Sequence, residues 1–243
     1  THVALVLLLI SDVLGDDIAA VGSGPFAPDA STFADALRIA RRVRGMPAVA
    51  LALLERGGNG GGADTVAATD PCFARVRHQL LASHATLLRA AEAAAAEAGH
   101  KRVKLLAPVS GDVEQVAAEL AEEATRLQPG ELLIGGGEPT VRLPHDAGKG
   151  GRNQQLALLV ARSIAGISQL RFASLGSDGS DGPTDAAGAC VDGDSYLALR
   201  SHGDPDAAIA RADAYPLLEA AGMLVRTGST GTNVLDLHLL SRS

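Results

Sequence analysis

Aromatic residues are nearly missing from this 243-residue chain: they make up 2% of it, and there is no Trp. Rings that could stack on bases are therefore scarce. Positive charge is also short, and the formal net charge is -7. An acidic, ring-poor chain repels phosphate backbones, which argues against nucleic-acid binding. The two cysteines, Cys72 and Cys190, form neither a metal-ligand spacing nor a disulfide framework, so a reducing, cytoplasmic setting fits. Long apolar runs are absent as well. The opening run, residues 3–10, falls far below the roughly 20 residues that span a bilayer. No basic segment precedes it, so neither a membrane span nor a signal peptide is expected. The chain opens with Thr and enters that run almost at once, which reads as a chain cut upstream or a processed terminus.

Several catalytic signatures are missing too. Gly148-Lys149 is followed by Gly150 rather than Ser or Thr, and position 143 is Leu, so there is no Walker A loop. No GxGxxG occurs, which weighs against a nicotinamide dehydrogenase. No GxSxG elbow and no Cys–His pairing occur, which leaves nucleophilic catalysis without support.

What is present is apolar and aliphatic. Hydrophobic residues make up 47% of the chain, so a core of Ala, Leu, Val and Ile is expected. Residues 3–10 are continuously apolar and read as a strand buried on both faces. Residues 31–42 read as a helix with Ser31 or Thr32 as N-cap and Asp35 in its first turn. Residues 57–71 are polar and Gly-rich, and a domain boundary is placed near residue 75. Beyond it, strands are expected at 79–82, 102–107, 131–134 and 171–175. Helices are expected at 84–98, 113–127 and 153–165. Residues 207–221 read as helical with a break at Pro216, and 223–226 and 234–239 as short strands. This alternation predicts an α/β fold with a largely parallel or mixed sheet flanked by helices.

Three of the strands end in loops rich in Gly and carboxylates. The first, residues 11–17, carries Ser11, Asp12, Asp16 and Asp17. The second carries Gly136, Gly137 and Glu138. The third, residues 176–185, carries Asp178, Asp181 and Asp185. Ligands of open α/β sheets bind beyond the carboxyl ends of strands. Glycine permits close approach to a ligand, and Asp supplies the hard oxygens that suit Mg²⁺. Gly and Asp also form turns, and for the first loop both readings stand. In the third loop, three carboxylates crowd together and repel one another unless a cation or donor satisfies them. Lys149, Gly150, Gly151, Arg152 and Asn153 open an apolar helix. Free N–H groups there attract anions, and Arg grips carboxylate or phosphate with two parallel bonds. Ser23 with Gly24 and Pro25, and Thr230 with Asn233, sit in turns that read equally as anion contacts or as plain turns. His78, His84, His145, His202 and His238 are scattered and read as surface or satisfied histidines.

Six motifs in register carry a resemblance: SDVLGDD (11–17), SGPFAPDASTF (23–33), GGGEPTV (135–141), GKGGRNQQ (148–155), GSDGSDGPTDAAGA (176–189) and TGTNVLDL (230–237). Together they resemble the MOFRL-containing glycerate 2-kinases, some of which have carried the label hydroxypyruvate reductase. The resemblance implies that residues 1–75 are the tail of an N-terminal Rossmann-like α/β domain and 76–243 a MOFRL domain, with the active site between them. It implies ATP- and Mg²⁺-dependent phosphorylation of D-glycerate to 2-phosphoglycerate; a hydroxypyruvate reductase and a non-catalytic nucleotide- or glycerate-binding fragment are the alternative readings. It also implies that a catalytic lysine and a Gly/Ser-rich loop lie upstream, in a missing N-terminal half. Arg152 matches the arginine implicated in catalysis, and Asp178, Asp181 and Asp185 match the Asp-rich motif, one or more of them expected to hold the metal. The remaining residues singled out above become candidates for substrate or nucleotide contacts. Nothing in the sequence excludes an oligomer. The chain departs from the family pattern at Gln155, Ser177, Ser180, Phe26, Ser229 and Leu235; Phe26 and Leu235 replace polar residues.

Overall fold

The computed structural model describes residues 4–62, 64–66 and 68–243. The chain divides into two compact units. One comprises residues 1–9 and 16–80, the other residues 10–15 and 81–243.

In the first unit, helices α1 (Phe33–Ala40) and α2 (Ala48–Gly58) pack together. Thr32 starts α1 through a capping box. Its hydroxyl accepts from Asp35 N at 3.2 Å, and Asp35 returns a bond to Thr32 N at 3.1 Å. The sequence did not point to α2, whose Gly-rich end reads as linker. Strands β1 (Leu5–Ile10) and β2 (Val76–Ala82) form a two-stranded sheet. Val3, expected in the first strand, lies outside the described residues. β1 is not buried on both faces as expected. Its side chains alternate, with Val6 54% and Leu8 61% exposed. A continuous apolar run reports two faces able to be covered; the chain present covers only one of them.

The second unit is built on a seven-stranded mixed sheet. Its strands are β3 (Arg102–Leu105), β4 (Val109–Asp112), β5 (Glu131–Thr140), β6 (Leu170–Gly176), β7 (Gly188–Asp192), β8 (Leu224–Val225) and β9 (Asp236–Arg242). The order is β3-β5-β9-β6-β7-β8, with β4 also on β5. β3 and β4 run parallel to β5, whereas the C-terminal β9 lies antiparallel between β5 and β6. Its helices are α3 (His84–Glu97), α4 (Val113–Arg126), α5 (Arg152–Ser163), α6 (Ser195–Leu199), α7 (Pro205–Ala210) and α8 (Ala214–Ala220).

The period of two along β5 and β9 divides the core. Leu133 and Leu240 join the larger cluster with α4, α5 and α8, while Leu132 and Ile134 pack on the α3 side. α5 is apolar around most of its circumference, and every residue from Asn153 to Ala161 is buried. Each of Leu156, Leu158 and Leu159 then contributes about 2 kcal/mol of burial. That burial makes α5 the rigid post on which the site is mounted. α4 shows one-sided burial at Val113, Val116, Ala117, Leu120 and Ala124, and Asp112 caps it.

Two expectations are corrected in this unit. Gly135, Gly136, Gly137 and Glu138 form no loop after a short strand, because β5 continues through them to Thr140. A Cβ at Gly136 would strike the Asp236 carbonyl and His84, and one at Gly137 would strike the Val109 carbonyl. These glycines admit neighbouring backbone rather than turn the chain. The helical stretch near residue 210 does break, but at Arg211–Asp213, where Ala212 has φ 49°. Pro216 sits in the first turn of α8, where a missing N–H costs nothing.

Candidate active site

The second unit places Arg152 at the first position of α5. Its guanidinium grips Asp236 at the start of β9, with Nε donating to Oδ2 at 2.6 Å and Nη2 to Oδ1 at 3.1 Å. Asp236 is 1% exposed, whereas the Arg152 side chain is 33% exposed. The Nη1 edge donates to Glu138 on β5 at 3.2 Å. The hydrogen bonds that Arg152 donates to Asp236 raise its pKa above the usual value; burial opposes this, and the charges of Asp236, Glu138 and Asp181 add to it. Arg152 is thus a fixed cation with one buried edge and one open edge.

Sequence reasoning missed Asp236. It stands inside the apolar run Val234-Leu235-Asp236-Leu237, and a carboxylate embedded in such a run is buried only when paired, which is the signal that was available. His84 fits the reading of a satisfied histidine, whereas His238 departs from it. Both are buried, and His84 Nε2 lies 3.2 Å from the Asp236 carbonyl. Among the described residues neither ring nitrogen of His238 has a hydrogen-bond partner. Burial, helped by nearby His84 and Arg152, lowers its pKa to about 3, so it is neutral.

The three aspartates of the third loop part company. Asp181 turns inward and caps α5. Its Oδ1 accepts from Asn153 N at 3.0 Å and Asn153 Nδ2 at 3.2 Å, and its Oδ2 from Gln154 N at 2.8 Å. Asn153 is itself held by the Ser174 hydroxyl at 2.5 Å. Burial raises the Asp181 pKa to about 6; the α5 N–H donors pull it down, and the Asp236 charge pushes it up again. Asp178 is half-buried and accepts from Ser180 N at 2.9 Å. Asp185 lies away from both, exposed, paired with Arg226 Nε at 2.8 Å and accepting from the Tyr215 hydroxyl at 2.7 Å. The Tyr215 hydroxyl first, and Arg226 after it, hold its carboxyl below the usual range.

A cavity of about 560 Å³ opens here, within the size range of small-ligand sites. Glu138, Gly150, Gly151, Arg152, Asp178 and Asn233 stand on its wall. Asn153, Asp181 and Asp236 also reach it, whereas Lys149, Asp185, Gly136, Gly137 and Thr230 do not. Lys149 instead places its ammonium 4.0 Å from the Tyr215 ring centre. Gly136 and Gly137 act beneath the site, by admitting Asp236 and β4. Thr230 ties the last motif to the third loop, its hydroxyl donating to the Ser177 carbonyl at 2.6 Å. Leu235, two residues after Asn233, has φ 71°, a region that Asn enters more readily than Leu. Phe26 likewise has φ 55°. Ser11 and Asp12 belong to the short segment of this unit at residues 10–15 and do not line the cavity. Asp16, Asp17 and Ser23 belong to the first unit. There Asp17 caps Ala19 N at 3.0 Å, and Asp16 and Ser23 have positive φ.

The cavity wall carries four carboxylates, Glu138, Asp178, Asp181 and Asp236, against the single cation Arg152. A polyanionic ligand would therefore need a cation beside it. Among the described residues no three His, Cys, Asp or Glu side chains are grouped to hold a metal. A protein-bound cation here would take one or two carboxylates and draw its other oxygens from ligand and water, which is the habit of Mg²⁺. Among the described residues no helix is long and apolar enough to cross a membrane.

Residues 131–236 match the MOFRL family, and residues 1–55 match a domain of unknown function, DUF4147. A glycerate 2-kinase of Pyrococcus horikoshii is 35% identical over 240 residues, covering 94% of this chain and 54% of that protein. The chain thus spans about half the length of that relative. A glycerate kinase of Macaca fascicularis is 31% identical, covering 97% of this chain and 72% of its own length. The crystal structure of a glycerate kinase from Thermotoga maritima superposes with a TM-score of 0.83 at 31% identity, over 99% of this chain and 57% of that one. With Arg152, the Asp-rich loop and the β9 aspartate assembled on a fold shared at this level, the chain belongs to the MOFRL-containing glycerate kinase family.

Proposed function

We propose that this chain forms the Arg152 side of a glycerate 2-kinase, which transfers the γ-phosphoryl group of ATP to the 2-hydroxyl of D-glycerate and yields 2-phosphoglycerate. The observation that carries this reading is Arg152, locked by buried Asp236 on the wall of a small-ligand cavity with one guanidinium edge left to an exposed, displaceable carboxylate. Phosphoryl transfer asks for positioning and charge neutralisation more than for covalent chemistry. The Nη1 edge, once Glu138 yields it, receives the glycerate carboxylate or the transferring group. Among the described residues the N–H groups of Gly150 and Gly151 donate to no protein acceptor and remain free for an anion. Asn233 adds a neutral polar contact on the same wall.

Magnesium fits the donor set through Asp178, whose carboxylate reaches the cavity and, among the described residues, is shared only with Ser180. Asp181 is committed to the start of α5 and Asp185 to Arg226 and Tyr215, so neither takes the metal in this reading. When bound, Mg²⁺ offsets the charge of the nucleotide phosphates beside the acidic wall. Residues 1–75 are assigned to the remainder of the first domain and 76–243 to the MOFRL domain. Val6 and Leu8, exposed on the same side of β1, support further covering structure in the whole enzyme. Cys72 and Cys190 are free thiols, which fits the cytoplasm.

Phosphorus NMR of the protein with ATP, Mg²⁺ and D-glycerate tests the reading, run beside the same chain extended to the length of its relatives. 2-Phosphoglycerate from the extended protein is the expected result. Binding of ATP–Mg²⁺ without turnover by the shorter chain alone would make it a binding half. A folded, extended protein that forms no product would end the kinase assignment.

A further inference from the structure

The segment joining α7 to α8 has no role in any of the motifs, yet it holds the loop that leads into Arg152. Gly148 N donates to the Arg211 carbonyl at 2.8 Å. Lys149 N donates to Asp213 Oδ1 at 2.7 Å, and Tyr215 N donates back to the Lys149 carbonyl at 3.0 Å. Three consecutive bonds from one elbow thus bind two consecutive loop residues. The approach is close enough to require glycine, since a Cβ on Gly148 would run into the Asp213 carboxylate. On the loop's other side, a Cβ on Gly151 would run into Asp181. The Gly148–Gly151 strip is therefore packed closely on the Asp213 carboxylate at one end and on the capping Asp181 at the other.

The elbow is itself braced. Tyr215 is buried beneath the Lys149 ammonium, 4.0 Å from the ring centre. Its hydroxyl donates to Asp185 at 2.7 Å and accepts from Arg226 Nη2 at 3.0 Å, and the same Nη2 donates to Glu219 at 2.6 Å. Asp185 and Lys149, which the sequence marked for metal and anion, are turned to this bracing.

We infer that Asp213 and Tyr215 are positioning residues: through Lys149 they set the backbone of the Gly148–Gly151 loop so that the N–H groups of Gly150 and Gly151 present a preformed anion seat. The bonds to Gly148 N and Lys149 N decide which donors are spent on the fold, and the next two N–H groups are left for ligand. The inference rests on the kinase reading only for the identity of the anion.

Hydrogen–deuterium exchange over the loop and equilibrium titration with ATP–Mg²⁺ test it on wild type, Asp213→Ala, Asp213→Asn and Tyr215→Leu. Asn keeps the Oδ1 acceptor and Ala removes it. The expected result is faster exchange at Lys149 and about tenfold weaker ATP binding in Asp213→Ala, the scale of one hydrogen bond to a charged acceptor. Asp213→Asn restores both, and Tyr215→Leu behaves like Asp213→Ala. Unchanged loop exchange in a folded Asp213→Ala variant overturns the clamp, as does equal loss in Asp213→Asn and Asp213→Ala. If wild type binds no ATP, the nucleotide reading fails, and the exchange measurement still decides the clamp. If Asp213→Ala does not fold, Tyr215→Leu carries the same comparison.

Discussion

Two arginines of the second unit hold carboxylates in similar ways and do different work. Arg152 grips Asp236 with two bonds, and Arg226 spans Asp185 and Glu219. The difference lies in the partner's solvent. Asp236 is 1% exposed at the foot of the sheet, whereas Asp185 is 62% and Glu219 49% exposed. A buried carboxylate stripped of water is poorly compensated without its cation, so the pair holds a single geometry. An exposed pair exchanges readily with water and is screened by salt. The same chemistry therefore fixes an orientation at the cavity and only braces a side chain at the surface.

The comparison is broken most severely at Asp236. Asp236→Ala leaves the Arg152 charge half-buried without its main partner and is expected to cost about 3 kcal/mol in urea unfolding. In the extended enzyme it should lower turnover about 10²–10³-fold, the usual loss for a misplaced electrostatic group. A variant that unfolds near the wild-type midpoint and turns over normally would show that Arg152 needs no anchor.

Asp181 sharpens the contrast through pH. Its folded pKa of about 6 lies above the ordinary carboxylate value, so it binds its proton more tightly folded than unfolded. Its contribution to stability is present below about pH 4 and lost as pH rises through about 6, a change of roughly 3 kcal/mol. Wild type should therefore gain on Asp181→Asn as pH falls from 6 to 4, read from urea midpoints. A constant gap across that window would mean that the buried carboxylate titrates like an exposed one.

The smallest effect is expected at the exposed pair. Asp185→Asn should shift the melting temperature far less than Asp236→Ala, and the wild-type pair should weaken measurably in high salt. Equal shifts for the two variants would erase the distinction between the arginines.

The motifs that bear on chemistry were legible because each combines residue types that rarely serve a core. Arg152 at a helix start, Asp178 in a glycine-rich loop and Asn233 in a hydroxyl-rich turn all reach one cavity. Helices such as α4 were legible from one-sided apolar spacing and a cap. Gly136 and Gly137 misled, because glycine looks alike whether it turns the chain or admits a neighbouring strand. The strands β4 and β7 were not anticipated. They are four and five residues long, and β7 ends in the turn that starts α6.

By itself the sequence determined the α/β class, the positions of the long helices of the second unit, the aliphatic core and the inventory of charged groups, because local spacing and composition carry that information. Which charges meet was decided only by the fold. The arrival of β9 between β5 and β6 carries Asp236 from 84 residues away to Arg152, and the elbow after α7 carries Asp213 from 64 residues away to Lys149. The Asp-rich motif was divided in the same way, with Asp181 turned inward to the start of α5 and Asp185 outward to Arg226. Burial sets what a carboxylate can do, and burial is a property of what packs around a residue rather than of the residues beside it in the chain.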